Sequence, residues 1–257
     1  MKRIAVITGA SSGMGRKFAE LSAEFSAFDE VWAIARRADR LDELKESVPF
    51  TVRPVPMDLS DPKSLERYGM LLAEESPDVA LLVNCSGYGK FGAFEEIPAD
   101  QSENMVDLNC RAVVALCSRT LPYMHEGAKI INIASEAAFQ PVPYIGVYAA
   151  TKSFVLSFSR ALNRELKGRG ITVTAVCPYW TKTEFFGRAT EDGKDGVVKK
   201  YVVMYDAEKI VRRAYRDAKK GKDVSQYGFV ARGQALLCKI LPHSLVMGCW
   251  QRQQKLK

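Results

Sequence analysis

The sequence predicts an α/β fold, a doubly wound parallel sheet in a single domain. Short apolar runs recur along the chain, helical patterns separate them, and a glycine-rich turn follows the first run. Apolar strands that alternate with crossover helices are typical of a parallel sheet covered on both faces. The chain has 257 residues, 47% of them hydrophobic and 26% charged, which is enough for one sizeable core. No linker-like stretch divides it, so we expect one domain over residues 1–257.

The strands are predicted from short runs of β-branched and other apolar residues. They cover residues 4–8, 31–35, 51–56, 79–84, 129–134 and 171–177, with a weaker seventh run at 224–227. Amphipathic patterns predict helices at 13–25, 39–47, 62–75, 111–125, 148–168 and 207–220. The helix at 62–75 has a clear start, because Asp61 precedes Pro62 in its first turn. Ligands of such sheets bind at the carboxyl ends of the strands, so we expect the site there.

A glycine-rich turn connects the first strand to the first helix, and residues 8–15 read TGASSGMG. A strand, such a turn and a helix N-terminus together bind a diphosphate, because glycine lets the backbone approach and the helix start offers free N–H groups. The spacing is G-x-x-x-G-x-G and not the general G-x-G-x-x-G. For the glycines alone, a plain tight loop is the alternative. The expected cofactor contacts are Gly9, Ser11, Ser12, Gly13, Met14 and Gly15.

Three side chains suited to proton transfer lie between residues 135 and 152. Tyr148 and Lys152 are four residues apart, so they project from one face of a helix. A nearby cation favours the ionised form of a phenol, whose ordinary pKa is about 10. Ser135 carries a hydroxyl that can hold a substrate oxygen against that phenol. The set indicates acid–base chemistry on an oxygen atom.

These motifs together resemble the short-chain dehydrogenase/reductase family, in the subclass with chains of about 250 residues. Residues 8–15 match its cofactor motif, Tyr148-x-x-x-Lys152 matches its catalytic motif, and Ser135 stands at the family spacing. Asn109 matches its active-site asparagine, and residues 84–87, NCSG, resemble its Asn-Asn-Ala-Gly motif. The resemblance extends from residue 4 to about residue 183 and implies a Rossmann fold.

The resemblance implies a role for each catalytic residue. Tyr148 would exchange a proton with the substrate oxygen, and Lys152 would lower the pKa of the phenol and hold the ribose of the nicotinamide. Ser135 would orient the carbonyl and stabilise charge on its oxygen. Asn109 would hold a water that links Lys152 to solvent.

The resemblance also implies cofactor contacts beyond the glycine-rich turn. Two departures from the family pattern affect them: Cys85 and Ser86 replace the second Asn and the Ala of the motif, and Tyr179 stands where Gly is usual. Asp58 matches the position that contacts the adenine amino group. The remaining expected contacts are Leu59, Asn84, Ser86, Gly87, Tyr148, Lys152, Pro178, Thr181 and Thr183.

The residues after the second strand indicate NADP(H) as the cofactor. An acidic residue at this place takes the ribose hydroxyls of NAD, whereas here Arg36 and Arg37 follow the strand. Two guanidinium groups can bind a phosphate through charge-assisted hydrogen bonds. Two solvated arginines at a helix start are the alternative.

The charge and the cysteine and histidine content bear on nucleic-acid binding, metal binding and location. The net charge is +7, and residues 194–257 alone carry +10, from fifteen Lys and Arg against five Asp and Glu. We expect no nucleic-acid partner, since this basic region has no recognised binding motif. Two distant histidines and six cysteines without metal-ligand spacing predict no metal site. The first strand starts at the N-terminus, so we expect no signal peptide and a cytoplasmic protein.

Two segments are expected to determine the substrate specificity. Residues 181–205 mix aromatic and aliphatic side chains, as a lid over a lipophilic substrate would. The segment 228–257 is apolar and basic, and its core at 233–250 is too interrupted to span a bilayer. Three alternatives are open for this segment. It forms a pair of helices that cap the cleft, two ordinary packed helices, or a peripheral membrane anchor that contacts anionic lipid.

The expected function is therefore NADP(H)-dependent interconversion of a ketone or aldehyde and an alcohol, with Tyr148 as general acid/base. A lipophilic small molecule, such as a steroid, ketoacyl or other lipid-like compound, is the expected substrate. The alternative is a non-catalytic NADP(H)-binding sensor or scaffold. The resemblance also implies a homodimer or homotetramer packed through the helices at 111–125 and 148–168.

Overall fold

The computed structural model describes residues 1–185, 189, 197–198 and 200–256. Its centre is a seven-stranded sheet in the order β3-β2-β1-β4-β5-β6-β7, and every neighbouring pair is parallel. The strands are β1 Arg3–Thr8, β2 Glu30–Ala35, β3 Val52–Pro56, β4 Asp78–Asn84, β5 Lys129–Ile133, β6 Thr172–Val176 and β7 Val224–Ser225. The predicted doubly wound parallel sheet is confirmed.

Helices cover both faces of the sheet. Their bounds are α1 Gly13–Glu20, α2 Ser22–Phe25, α3 Ala38–Ser47, α4 Pro62–Glu75, α5 Ala99–Val106, α6 Ala112–Thr120, α7 Gly146–Glu165, α8 Ala207–Lys219, α9 Phe229–Ile240 and α10 His243–Gln254. None of these described helices is long and apolar enough to cross a membrane. The lid predicted at 181–205 lies partly outside the described residues, at 186–188, 190–196 and 199.

The core has two layers, one on each face of the sheet. Ile4 and Val6 of β1 pack into one layer, whereas Ala5 and Ile7 pack into the other. Side chains of a strand alternate between faces, so a strand buried on both sides is apolar at every position. This explains why the central strands are uninterrupted apolar runs.

Two of the predicted helices differ from the structure. The first predicted helix is split into α1 and α2 at Leu21. The stretch around Asn109 starts earlier than predicted, because α5 leads through a π-helical turn, Asp107–Arg111, into α6. Met105 is the only buried residue of α5, so its sequence lacks the apolar periodicity that predicts a helix.

The strand order reverses between β1 and β4, and this is where the sheet opens a crevice. Crossovers from β1 run toward β2 on one side, while β4 and the later strands extend the other side. Ligands in open α/β sheets bind at such a switch point, outside the carboxyl ends of the strands. The residues that follow β1, β4, β5 and β6 therefore converge on one edge.

Candidate active site

The predicted catalytic residues lie at the end of β5 and in the first turns of α7. Ser135 follows β5, and its Oγ accepts a hydrogen bond from the Ala137 amide at 3.2 Å, which fixes the hydroxyl at the start of a 3₁₀ turn. Tyr148 lies two residues into α7, and its phenol is hydrogen-bonded to the Ser135 side chain. The two hydroxyl groups therefore face one point of the cavity above them.

Lys152 lies one turn further along α7 and beneath the tyrosine. Its Nζ donates to the Ile133 carbonyl at 2.8 Å and stands 5.6 Å from the centre of the Tyr148 ring. Burial lowers the pKa of Lys152 to about 8, because a charged ammonium loses hydration in the interior. The lysine is held by a neutral acceptor, and its remaining protons are available to other groups.

Burial also governs Tyr148. It raises the pKa of the phenol to about 12, against the opposing effect of the hydrogen bond with Ser135. We predicted that Lys152 lowers this pKa, but in this structure the shift is upward, because loss of solvation is the largest influence on the phenol. Tyr148 is thus protonated at neutral pH, the form that donates a proton to a carbonyl oxygen.

Asn109 lies in the π-helical turn and is fully buried. Its Nδ2 donates to the Tyr88 carbonyl at 2.9 Å and to Thr151 Oγ1 at 3.1 Å, and its Oδ1 accepts from the Tyr88 amide at 3.1 Å. Gly87 lies beside it, where an added Cβ would stand 2.8 Å from Asn109 Oδ1 and 3.4 Å from Lys152 Nζ. The structure thus brings Gly87, Asn109 and Lys152 together.

The glycine-rich turn has the shape that a dinucleotide requires. Gly9 has φ +69°, and a Cβ there would lie 2.9 Å from the Cys85 carbonyl oxygen. A Cβ on Gly15 would overlap the Gly9 carbonyl. Gly13, at φ +53°, begins α1 and faces Thr183, whose Cβ is 3.4 Å from an added Cβ. Only glycine fits this cradle at the helix N-terminus, which suits the diphosphate of a nicotinamide dinucleotide.

Thr8 joins this turn to the segment after β4. Its Oγ1 accepts hydrogen bonds from the Cys85 amide at 3.0 Å and from the Ser86 amide at 3.1 Å. Sequence reasoning placed Thr8 at the strand end but gave it no contact. Asn84, by contrast, points into the core, where its Nδ2 donates to Asn132 Oδ1 at 2.8 Å. Its side chain ties β4 to β5, and its contact with a cofactor stays a prediction.

The arginines after β2 lie near the glycine-rich turn and the residues that follow β3. Arg36 Nη1 lies 3.8 Å from Asp58 Oδ2, and Arg37 Nη2 lies 3.3 Å from Ser11 Oγ. Arg37 also pairs with Glu184 at 3.2 Å. Leu59, next to Asp58, is buried in the core layer under this region. Four predicted contacts, Ser11, Arg36, Arg37 and Asp58, are therefore close to one another.

A cavity of about 130 Å³ opens above the catalytic hydroxyls. Predicted residues from several elements line it, namely Met14, Ser135, Tyr148, Pro178, Thr181 and Thr183. Phe91 contributes a ring from the segment after β4 and Phe185 from the segment after β6, and Trp250 reaches in from α10. The Trp250 Nε1 donates to the Pro143 carbonyl at 3.0 Å, which holds α10 against the cavity rim. Residues of both C-terminal helices thus line the site.

Sequence reasoning missed Glu136 and the aromatic lining. Glu136 directly follows Ser135, is buried, and lines the cavity. A carboxyl in an apolar stretch right after a catalytic serine was the available signal. Trp250 ends the segment 233–250, for which helices capping the cleft were one of three alternatives, but only tertiary packing brings its ring to the cavity. Among the described residues, no group of His, Cys, Asp or Glu side chains is arranged to hold a metal ion.

Comparison with known proteins identifies the family of the chain. Residues 3–194 match the short chain dehydrogenase family. Glycine betaine reductase ATRR of Emericella nidulans is 36% identical over 194 residues, and the match covers 74% of this chain but only 15% of that protein.

Two solved structures are similar over nearly the whole chain. A short-chain dehydrogenase from Sphingobium yanoikuyae in complex with NADPH has 30% identity and a TM-score of 0.76, with 92% of each chain covered. The bulky-bulky ketone specific alcohol dehydrogenase from Comamonas testosteroni has 27% identity and a TM-score of 0.74, with 96% of this chain and 94% of that chain covered.

A Rossmann-like sheet with this glycine cradle and this set of proton-transfer groups defines an oxidoreductase that works with a nicotinamide cofactor. More particularly, the chain belongs to the short-chain dehydrogenase/reductase family.

Proposed function

We propose that this protein is an NADP(H)-dependent oxidoreductase that interconverts a ketone or aldehyde and the corresponding alcohol. The observation that carries the proposal is the partly buried Tyr148 phenol, which is hydrogen-bonded to Ser135, lies close to Lys152 and lines the cavity. These are the groups needed to hold a carbonyl oxygen and give it a proton.

The chain supplies binding, orientation and proton transfer. A bound nicotinamide supplies or accepts the hydride. Ser135 Oγ donates a hydrogen bond to the carbonyl oxygen and orients it, and Tyr148 Oη gives that oxygen its proton as the carbon becomes tetrahedral. Lys152 stabilises the resulting tyrosinate, and Asn109 fixes the loop beside it. In the direction of alcohol oxidation Tyr148 takes the proton back.

The arginine pair supports NADP(H) over NAD(H). Arg36 and Arg37 are both about half exposed at the end of β2, and Ser11 lies beside Arg37. A phosphate on the adenosine ribose would gain charge-assisted hydrogen bonds from these guanidinium groups. No carboxylate replaces them at the position directly after β2.

The lining of the cavity supports a substrate with an apolar body. Its walls include Phe91, Val142, Ile145, Trp180 and Trp250. Apolar and aromatic walls with a few placed polar groups are usual in small-molecule sites. The named relatives differ in their substrates, so we argue the substrate class from the cavity alone. A ketone or alcohol with a lipophilic body is the class that fits.

Substitution of Tyr148 by Phe tests directly whether Tyr148 is the general acid of the reaction. The variant keeps the ring and its packing but loses the proton, so we expect turnover to fall by about 10²–10⁴-fold while NADPH affinity stays near that of the wild type. The change in nicotinamide absorbance measures turnover, and fluorescence titration measures the affinity for NADPH. Unchanged turnover would contradict the assigned acid. Wild-type protein that binds NADPH but turns over no carbonyl compound would favour the sensor or scaffold.

We also propose self-association and a cytoplasmic location. Phe154 and Val114 are exposed on the outer faces of α7 and α6, where Phe154 stacks on Phe158. Exposed apolar side chains on adjacent helices favour a homodimer or homotetramer through this face. The six described cysteines are all free thiols, which supports a reducing compartment.

The outer side of the C-terminal helices supports a peripheral membrane contact. Phe229 is 90% exposed and Ile240 is 69% exposed, with Leu236, Leu237 and Leu245 also exposed on the same two helices. Residues 224–257 carry five Lys and Arg and no Asp or Glu. An apolar face flanked by positive charge fits the surface of an anionic bilayer. The inner side of the same helices contributes to the cavity.

A further inference from the structure

The catalytic end of the cavity contains a carboxyl group that the proton-transfer chemistry does not use. Glu136 is only 5% exposed and lines the cavity next to Ser135. Its Oε2 accepts a hydrogen bond from Gln226 Nε2 at 3.1 Å. Its Oε1 is buried and has no hydrogen-bond partner within the described part of the chain. One oxygen is thus tied to the segment after β7, and the other is buried without a partner among the described residues.

The surroundings of Glu136 offer its negative charge no compensation. The ionisable groups that interact with it from the packed elements are Cys177 after β6, Tyr179 in the following turn and Cys238 on α9. Each has a raised pKa and is neutral at pH 7. Over the described residues no Lys or Arg forms an ion pair with Glu136. Burial accordingly raises the pKa of Glu136 to about 8.

A carboxyl group in this position is costly unless something pairs with it. Burying an unpaired charge, or leaving a buried polar atom without a partner, destabilises a protein. An apolar residue would line the cavity of an enzyme for a purely lipophilic ketone without this cost. A ligand that carries a positive charge would remove the cost on binding, because it supplies the missing partner.

The other walls of the cavity are also suited to a cation. Phe91, Trp180 and Phe185 form a connected group of rings with Tyr148, and their centres are 5.5–6.4 Å apart. Trp250 is near-parallel to Trp180, at 6.3 Å. The faces of aromatic rings attract ammonium groups, and alkylated ammonium ions are held in this way. Aromatic rings and the Glu136 side chain therefore line one small space, where a bound cation would favour the ionised form of the carboxyl group.

We propose that Glu136 and the aromatic walls recognise a positively charged nitrogen on the substrate. The substrate class is then an amino ketone or amino aldehyde, with its amino alcohol as the reduced form, in which the nitrogen is protonated or quaternary. This assignment rests on the proposed carbonyl chemistry at Tyr148 and narrows it. Gln226 holds the carboxyl group through Oε2, and a bound cation supplies the partner that Oε1 lacks among the described residues.

A matched pair of ketones tests the assignment. One is (2-oxopropyl)trimethylammonium, and the other is 4,4-dimethylpentan-2-one, which has the same shape with carbon in place of the charged nitrogen. For the wild type with NADPH we expect a KM at least about ten-fold lower for the cation, the effect of a single charged contact. Glu136→Gln should remove this preference, because the KM for the cation then rises to about that for the neutral ketone.

Gln226→Leu is the control for a purely structural role. It removes the hydrogen bond to Oε2 and keeps the carboxyl group. If Glu136 binds the cation, this variant keeps the preference for the charged ketone. If Glu136 only ties the loop to β7, Gln226→Leu should behave like Glu136→Gln. Equal KM values for the two ketones in the wild type would overturn the assignment while leaving the carbonyl chemistry in place.

A binding measurement separates failure of the assignment from failure of the proposed function. Choline and its neutral analogue 3,3-dimethylbutan-1-ol are titrated against the NADP⁺-loaded protein, with the fluorescence of Trp180 and Trp250 as the readout. Preferential binding of choline that Glu136→Gln abolishes would uphold the assignment even if neither ketone is reduced. Equal binding, or binding of neither alcohol, would contradict it.

Discussion

The active site pairs a partly buried phenol with a buried ammonium group, and their pKa values move in opposite directions. Burial raises the pKa of Tyr148 to about 12 and lowers that of Lys152 to about 8. Both shifts favour the neutral form of the side chain, because the interior solvates charge poorly. A neutral phenol beside a lysine that readily changes protonation can give a proton and recover it near neutral pH.

Glu136 should make the stability of the protein depend on pH. Its pKa rises from an ordinary 4.5 to about 8 in the folded chain, so the native state binds one more proton than the unfolded state between these values. The stabilisation is complete below about pH 4.5 and is lost as the pH rises toward 8. The amide of Glu136→Gln does not titrate, so the variant does not lose this stabilisation. The difference in Tm, variant minus wild type, should therefore increase from pH 5 to pH 9.

Thermal unfolding at constant ionic strength measures this difference. The groups common to both proteins cancel, including Cys177, Tyr179 and Cys238, which interact with Glu136. Parallel pH profiles for the two proteins would show that the carboxyl group is ionised in the folded state.

Among the elements, α9 and α10 have two distinct sides. Ala231, Ala235 and Cys238 of α9 are buried, and the Cys238 thiol approaches Gln140 Oε1 at 2.8 Å. Gln254 of α10 exchanges two hydrogen bonds with the backbone of Lys200, each at 2.9 Å. These contacts fix the helices against the cavity and leave their apolar residues on the outside.

The outer side of these helices should bind anionic vesicles. We expect the protein to co-sediment with vesicles rich in phosphatidylserine and much less with phosphatidylcholine alone. Replacing Phe229 and Ile240 by Ser should weaken this binding by removing inserted apolar area.

Phe94→Ser is the matched control for that double substitution. Phe94 is also a highly exposed aromatic residue, but it lies in a separate 3₁₀ turn. Equal loss of binding in control and test variants, or no sedimentation of the wild type, would exclude this membrane surface.

The turn after β2 is the element that should select the cofactor. Arg36→Ala removes one of the two guanidinium groups beside Asp58 and Ser11. We expect NADPH to bind about ten-fold more weakly, the effect of losing one charge-assisted contact, whereas NADH affinity should stay unchanged. Fluorescence titration of both cofactors gives the two dissociation constants, and an equal loss for both would indicate a general structural effect.

At the scale of the whole molecule, the outer faces of α6 and α7 are candidates for the subunit interface. Phe154→Glu places a charge in this apolar surface, so we expect it to lower the molar mass measured by light scattering to that of a monomer. Met70→Glu on α4 is the control, because Met70 is also exposed but lies on another helix. A wild-type monomer, or an unchanged mass in Phe154→Glu, would contradict this interface.

The sheet and the central site were predictable because their signals are local. An apolar run, a glycine turn and the spacing of Tyr148 and Lys152 are each visible within a few residues. The contact of Trp250 was not predictable, since it depends on how α10 returns to the cavity. Glu136 meets Gln226 only because β7 pairs with β6. The upward shift of the Tyr148 pKa was missed for the same reason: burial is a property of the folded chain.

The most direct test is titration of the purified protein with NADPH and NADH, followed by a panel of ketones at the nicotinamide absorbance. We predict at least about ten-fold tighter binding of NADPH, as expected for one additional charged contact, and turnover of ketones with an apolar body. Equal or tighter binding of NADH would show that Arg36 and Arg37 are surface charges. Tight NADPH binding without turnover of any ketone would contradict the assignment of Tyr148 as a catalytic acid.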